Sequence, residues 1–396
     1  MKILHLGWEY PPHHCGGLGI ACQSLIEHIH AQGAQVMLAL PYNAVSDGAY
    51  EIIGTKQISV TQVASGLRPY ATEQSYHDMH RQQPETFSLY SNDLFSEVDR
   101  YAHEVSEQLK QQSFDIIHAH DWMTYKAAIK LQSLTGKPII SHIHATEFDR
   151  TGNNGINNTV YSIERDGFHK AHKVIAVSTF TKQKLIDHYD VPAEKIHVVH
   201  NSVTWYDEPE PSDRNSEYAQ PIVLFAGRLT LQKGIDHFLN AAQHVIQHIP
   251  HATFVIAGDG DMKQRLMDQA FHCGIADNVI FTGFLTTNRL RQLYQQADLL
   301  VMPSVSEPFG LTALEALQAK TPVLISKQSG VSEVIHHCLK VDFWDTAMMA
   351  DKIIGVLTHP ALQKTLAVHG HEHIKQLSWH NAAQQCLGLY YELYNG

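Results

Sequence analysis

Short apolar runs of strand length alternate with amphipathic helical stretches along nearly the whole chain, and this regular alternation is the strongest constraint on its fold. Runs that are apolar throughout, rather than at every second residue, suit strands covered by helices on both faces, as in parallel sheets. In the first half the strand candidates are 2–6, 35–40, 115–119, 138–143, 173–177 and 196–199, with helices at 18–31, 101–111, 123–134 and 179–188. Residues 50–99 are less regular, with β-like pieces at 57–63 and 86–90, and read as decoration of the sheet. From 204 to 220 the composition turns to Asp, Glu, Pro, Ser and Asn, which marks a linker. A second series follows, with strands 222–226, 253–257, 278–282, 299–302 and 323–326. Its helices are 235–247, 262–273, 290–296, 311–319 and a C-terminal run. The pattern predicts an α/β protein of two doubly wound domains, 1–203 and 221–376, facing each other across a cleft. Such sheets bind ligands beyond the carboxyl ends of their strands, so the loops after strands are where chemistry is expected.

The charge balance narrows the partners. Lys and Arg total 29 against 40 Asp and Glu, a formal charge of −11, and there is no basic run. Nucleic acid and anionic membrane surfaces attract the opposite sign, so both are set aside. The first 20 residues hold only a short apolar stretch, and no window of 18 apolar residues occurs. Neither a secretory signal nor a transmembrane helix is therefore expected. Cys15, Cys22, Cys273, Cys338 and Cys386 are scattered without a CxxC pair, which reads as reduced thiols in a cytoplasmic protein. Histidine is the anomaly, 29 of 396 residues, with close pairs at His13/His14, His118/His120, His142/His144 and His336/His337. None has the spacing of an established metal motif, and no metal or other cofactor is expected.

The most informative segment runs Ser306-Glu307-Pro308-Phe309-Gly310-Leu311-Thr312-Ala313-Leu314-Glu315, after an apolar strand and into a helix. Pro308 and Gly310 suit a tight turn. Gly310 and Leu311 would present unpaired backbone N–H groups at the helix start, where the macrodipole also favours a diphosphate. Glu315, eight residues beyond Glu307, lies deeper in the helix and can accept hydrogen bonds from a diol such as ribose.

This segment resembles the E-x7-E signature of retaining glycosyltransferases of the GT-B fold, family 4 and the glycogen synthases in particular. The resemblance covers nearly the whole chain and implies two Rossmann-like domains. "GRLTLQKG" is similar to the family's phosphate-binding loop and matches its cations at Arg228 and Lys233. Cations there would stabilise charge that grows on a leaving diphosphate. "WEYPPHHCGGLG" resembles the glycine-rich loop after the first strand, with Gly16 and Gly17 bare enough for close approach to the donor. "HAHDWMT" matches an HDW segment through Asp121 and Trp122, and "PIISHIHATEFDRTG" places His144 at the family's strand-terminal histidine beside the donor sugar. His142 points the same way but deeper, as a packed residue. Asp121, Trp122, Glu147, Asp149 and Arg150 would then line the acceptor side. "AGDGDMKQRL" puts Gly258 and Gly260, and "FTGFL" puts Gly283, Phe284 and Leu285, near the base and diphosphate. Phe309, Gly310, Leu311, Thr312 and Glu315 complete the donor side. "VIAVSTFTKQKL" supplies a helix capped by Ser178, and the run 377–396 is expected to return to the N-terminal domain.

The resemblance implies transfer of a hexose, glucose foremost, from UDP- or ADP-glucose to a carbohydrate, with an α-glucan favoured as acceptor. Cell-surface polysaccharide, lipopolysaccharide and disaccharide acceptors stay open, as do the donor base and the oligomeric state. Two rivals belong to other classes: a GT-B epimerase acting on a sugar nucleotide alone, and a non-catalytic sugar-nucleotide sensor.

Overall fold

The computed structural model describes residues 1–11, 16–40, 93–152, 155–206 and 220–395, together with the backbone of 59–62. The first half builds one parallel sheet from β1 (Lys2–Leu6), β2 (Gln35–Leu40), β3 (Ser59–Gln62), β4 (Ile116–His120), β5 (Ile139–Ile143), β6 (Lys173–Ala176) and β7 (Ile196–Val198). Its spatial order is β3-β2-β1-β4-β5-β6-β7, every pair parallel. Its helices are α1 (Gly17–Ala31), α2 (Leu94–Leu109), α3 (Trp122–Thr135), the short α4 (Glu147–Arg150), α5 (Asn158–Lys170) and α6 (Thr179–Tyr189). The central strands β4 and β5 are buried at every residue, including His118, His120, Ser141 and His142.

The second half repeats the scheme with β8 (Ile222–Ala226), β9 (Thr253–Ala257), β10 (Val279–Gly283), β11 (Leu299–Met302), β12 (Val323–Ser326) and β13 (Leu339–Val341). The order is β10-β9-β8-β11-β12-β13, again wholly parallel. Around it lie α7 (Ile235–His248), α8 (Lys263–His272), α9 (Thr287–Gln296), α10 (Leu311–Gln318), α11 (Thr346–Thr358) and α12 (Pro360–Ile374). The last helix, α13 (Trp379–Asn395), leaves this sheet and packs on α1, burying Trp379, Cys386 and Tyr390 among core residues of the first half. In both sheets the order reverses beside the first strand of its half, β1 and β8, a switch point that opens a crevice at the strands' carboxyl ends.

Local chemistry sets the helix limits. α2 begins at Leu94 rather than 101 because the Asp93 carboxylate accepts the Ser96 N–H. Ser178 caps α6 through the Thr181 N–H. Five elements escaped the sequence reading: α4, α5, β13, α11 and α12. α5 carries Gly167 in its interior, which argues against a helix on propensity. A Cβ there would lie 2.3 Å from the Tyr125 ring, so the glycine lets α5 press against α3. The expected β-like piece at 57–63 overlaps β3. The piece at 86–90, His13, His14, Cys15 and most of the linker lie outside the described residues. Among the described residues no helix is long and apolar enough to cross a membrane.

Candidate active site

The loop after β8 carries Arg228 and Lys233, and it is held by backbone as much as by side chains. Leu229 N–H donates to Asp259 O in the loop after β9, and Val305 N–H donates to Gln232 O. Gly234 takes φ +63° at the start of α7, and a Cβ there would lie 2.2 Å from Pro303 O. Lys233 Nζ thereby comes to 2.6 Å from Glu307 Oε2, with the Ser304 hydroxyl donating to the same oxygen at 3.1 Å. Glu307 is almost wholly buried. Arg228 is half-buried on the same loop.

Gly310 precedes α10 at φ +117°, and a Cβ there would be crowded by Met302 and Val331. The first intrahelical acceptor is Gly310 O, taken by Ala313 N–H, which places the Leu311 and Thr312 amides at the open end of the dipole. The Phe309 ring is buried and approaches His200 with centroids 6.1 Å apart, and the Thr312 hydroxyl donates to Met302 sulfur. Deeper in α10, Glu315 Oε2 accepts the Tyr294 hydroxyl at 3.0 Å. Burial pushes the Glu315 carboxyl up, only partly offset by that hydrogen bond and by Arg291. Tyr294 left no mark in the sequence reading, because a tyrosine on α9 is indistinguishable there from core.

Gly258 and Gly260 have a structural reason of their own. A Cβ on Gly258 would lie 1.8 Å from Gly227 O, and one on Gly260 would lie 2.5 Å from Leu229 O. Both glycines let the loops after β8 and β9 touch. Gly283, at φ +70°, bridges back to Gly258, and Phe284 beyond it is 75% exposed, with Leu285 half-buried.

Across the cleft, α1 starts at Gly16 and Gly17, and a Cβ on Gly17 would be 3.6 Å from Leu311, at the head of α10. The buried Glu9 carboxylate accepts the Gly16 N–H and holds this loop. His144 follows β5, half-buried, with its N–H donating to Asp121 Oδ1 at 2.7 Å. Asp121 is strained at φ +58°, and burial raises its carboxyl to about 7 against the His144 amide. The His144 imidazole is neutral, since burial holds it well below the usual range.

The residues assigned to the acceptor side sit differently. Trp122 packs into the first core against Phe95. Arg150 pairs with Glu147 and with the buried Glu164. Asp149 is fully buried, accepts Lys184 Nζ, and accepts the Ser306 hydroxyl at 2.5 Å. Burial alone would raise its carboxyl, but Lys184 with the Ser306 and Thr146 hydroxyls outweighs it and holds Asp149 below the usual range. Asp149 and Lys184 thereby tie α4 and α6 to the Glu307 loop through Ser306, while Arg150 ties α4 to α5 through Glu164. Ser178 adds a hydrogen bond to Pro308 O at 2.6 Å, and Glu333 accepts the Thr179 and Phe180 amides at 2.9 and 2.7 Å.

The loops after β8 and β11 thus bring a lysine, a carboxylate and a helix start together. Residues 15–204 match the family model described as Glycosyltransferase Family 4, and residues 207–372 match that described as Glycosyl transferases group 1. The chain is a GT-B glycosyltransferase. An uncharacterized glycosyltransferase of Methanocaldococcus jannaschii is 29% identical to it over 98% of each chain. A glycogen synthase of Mycobacterium tuberculosis is 27% identical over 98% of this chain and 94% of its own. The Anabaena protein HepE, solved with UDP and glucose, superposes with a TM-score of 0.74 at 19% identity, over 99% of this chain and all of its own.

In this glycosyltransferase two of the histidine pairs, His118/His120 and His142/His144, join His5 in one assembly. The register sets His5 beside His118 and His120 beside His142. His118 Nδ1 lies 2.6 Å from the Tyr390 hydroxyl and its Nε2 3.1 Å from His142 Nδ1, while His120 bridges His5 and His144 at 3.1 Å each. Burial keeps these imidazoles neutral, with His120 pushed down to about 3. His142 is packed as expected. Sequence reading missed the assembly because its strands are joined only by tertiary pairing.

Proposed function

We propose that this glycosyltransferase moves glucose from UDP- or ADP-glucose to an α-glucan with retention of anomeric configuration and without a divalent metal, in the cytoplasm. The observation that carries the reading is the Lys233–Glu307 pair set at the head of α10. An ammonium has three N–H donors, so Lys233 can keep Glu307 and also hold a phosphate oxygen. Arg228 and the Leu311 and Thr312 amides supply further donors to a diphosphate, while Glu315 takes the ribose hydroxyls.

In this reading the donor C1–O(phosphate) bond breaks as the acceptor hydroxyl approaches from the same face. A C1–O(acceptor) bond forms, and the acceptor proton passes to the departing phosphate. Negative charge on the diphosphate grows as the bond breaks, and preorganised cations and amides oppose it more strongly at that stage than before. Glu307 holds sugar hydroxyls beside the developing positive charge, and the neutral His144 imidazole positions the hexose from the other half. The glucose donor is supported by HepE, seen with UDP and glucose, and the α-glucan acceptor by the mycobacterial glycogen synthase.

The test is incubation of the purified protein with UDP- or ADP-glucose and glycogen or maltooligosaccharides, following nucleotide release. Release that requires the acceptor, and an α-anomeric signal in the product by NMR, are expected. Release indifferent to acceptor, or a β-linked product, would overturn the reading.

A further inference from the structure

The histidine assembly holds more coordinating nitrogen than sugar transfer needs. His5, His118 and His120 stack, with ring centroids 4.7 and 4.5 Å apart along the column, and stacked rings do not aim their in-plane lone pairs at one point. A second group is different. Cys22 comes from α1, His120 from the end of β4 and His144 from the loop after β5, three elements approaching from separate directions. Cys22 Sγ is 4.0 Å from His144 Nε2, and His120 Nδ1 is 3.1 Å from that same nitrogen. All three ligand atoms lie within 4.8 Å of one another.

Those spacings fit an ion. With Zn–N near 2.05 Å and Zn–S near 2.3 Å, a tetrahedron has N···N edges of about 3.3 Å and S···N edges of about 3.6 Å. The Cys22–His144 and His120–His144 edges, at 4.0 and 3.1 Å, lie within a few tenths of an ångström of such a frame, and the third edge, His120 to Cys22, is no longer than 4.8 Å. The other His120 nitrogen, Nε2, faces His5 Nδ1 at 3.1 Å, the outer hydrogen bond that orients a ligating imidazole. One thiolate and two imidazoles select a borderline-soft ion over magnesium.

We infer that Cys22 Sγ, His120 Nδ1 and His144 Nε2 form a three-ligand site for a zinc-class divalent ion, and that its occupation switches transfer off. The second clause rests on the proposed function, because it needs His144 at the donor sugar. On binding, the Cys22 thiol gives its proton to solvent and a sulfur–metal bond forms. The His120–His144 hydrogen bond is replaced by two nitrogen–metal bonds, the N–H proton of the donor ring moving to that ring's other nitrogen so that both imidazoles stay neutral, with no change of oxidation state. The half-buried His144 leaves the fourth position to water. The ion inhibits because it fixes the His144 ring that would position the sugar by taking its Nε2, so catalysis free of metal and inhibition by metal are compatible.

The test is cobalt titration of the chelator-treated full chain. One equivalent bound, with a thiolate-to-cobalt charge-transfer band, is expected. The band should vanish in Cys22→Ser and Cys22→Ala, with zinc affinity at least tenfold weaker by chelator competition. Cys338→Ser should keep it, although Cys338 adjoins the clustered His337, His369 and His373. Absence of the band, or its loss in Cys338→Ser with retention in the Cys22 variants, overturns the site. Thermal midpoints without metal confirm that the variants fold. Zinc should slow wild-type transfer at least tenfold, reversibly with EDTA, and leave the Cys22 variants at their metal-free rate. A Cys22-dependent cobalt band with unchanged transfer would overturn the switch and the placing of His144 while leaving the site standing. If no donor is turned over, the proposed function fails and the band still decides the site.

Discussion

Lys233 Nζ lies 2.6 Å from Glu307 Oε2, joining the loop after β8 to the loop before α10 through a largely buried ion pair. Neither residue is near the other in sequence, and Gly234 makes the approach possible by yielding its Cβ position to Pro303 O. The pair couples the group expected on the diphosphate to the group expected on the hexose.

Breaking it should cost activity more than fold. Lys233→Ala and Glu307→Gln are each expected to lower kcat by about 100-fold or more, the scale for losing one preorganised charge-stabilising group. Circular dichroism should remain that of the wild type. A fall confined to KM would show that the pair serves ground-state binding only.

Tyr294→Phe removes the hydroxyl that Glu315 accepts while keeping the packed ring. If Glu315 holds the ribose, KM for the nucleotide sugar should change several-fold with kcat little altered. Equal effects on UDP-glucose and on a donor analogue lacking ribose hydroxyls would argue against that contact.

Gly258→Ala tests whether this glycine is required by the fold itself. Its Cβ would lie 1.8 Å from Gly227 O at φ +148°, so a loss on the order of 3 kcal/mol is expected. Urea unfolding without ligand reads it. An unchanged midpoint would mean that the loops after β8 and β9 part easily.

Asp149 gives a pH signature. Its folded pKa is depressed, so its contribution is fully present above the unfolded value, near 3.9, and is lost as pH falls through the folded value. Asp149→Asn should cost about 3–5 kcal/mol at pH 7, since Lys184 is left buried without its counter-charge. The gap between wild type and variant should narrow below about pH 4. Denaturant melts at pH 7 and pH 3.5 check the direction, and a gap that widens in acid would contradict the pairing.

Transfer should be undiminished by prior EDTA treatment and unstimulated by magnesium if Arg228, Lys233 and the α10 amides take the place of a divalent ion. Loss of activity on chelation, restored by magnesium, would refute this.

Much of the fold was legible. Strands such as Lys2–Leu6, Ile222–Ala226 and Thr253–Ala257 fall where the apolar runs stand, because a strand covered on both faces has no alternating pattern to misread. α5 was not legible, since Gly167 reads as a helix breaker until Tyr125 is seen filling its place. Glu307, Lys233 and Gly310 could be picked out by motif and are brought together. Glu147, Asp149 and Arg150 could be picked out too, but their neighbours decide their work: Lys184 and Glu164 turn them inward. Trp122 likewise follows a recognisable motif and ends as core.

The sequence by itself determined the two parallel α/β halves and the loops that carry chemistry, because periodicity and turn residues act within a few positions of one another. Tertiary structure alone decided which side chains meet: Lys233 with Glu307, Asp149 with Ser306, and five histidines from β1, β4, β5 and the following loop in one buried group. Parallel strands joined by long crossovers pair residues more than a hundred positions apart, and that register is set by the packing of whole layers, not by local sequence.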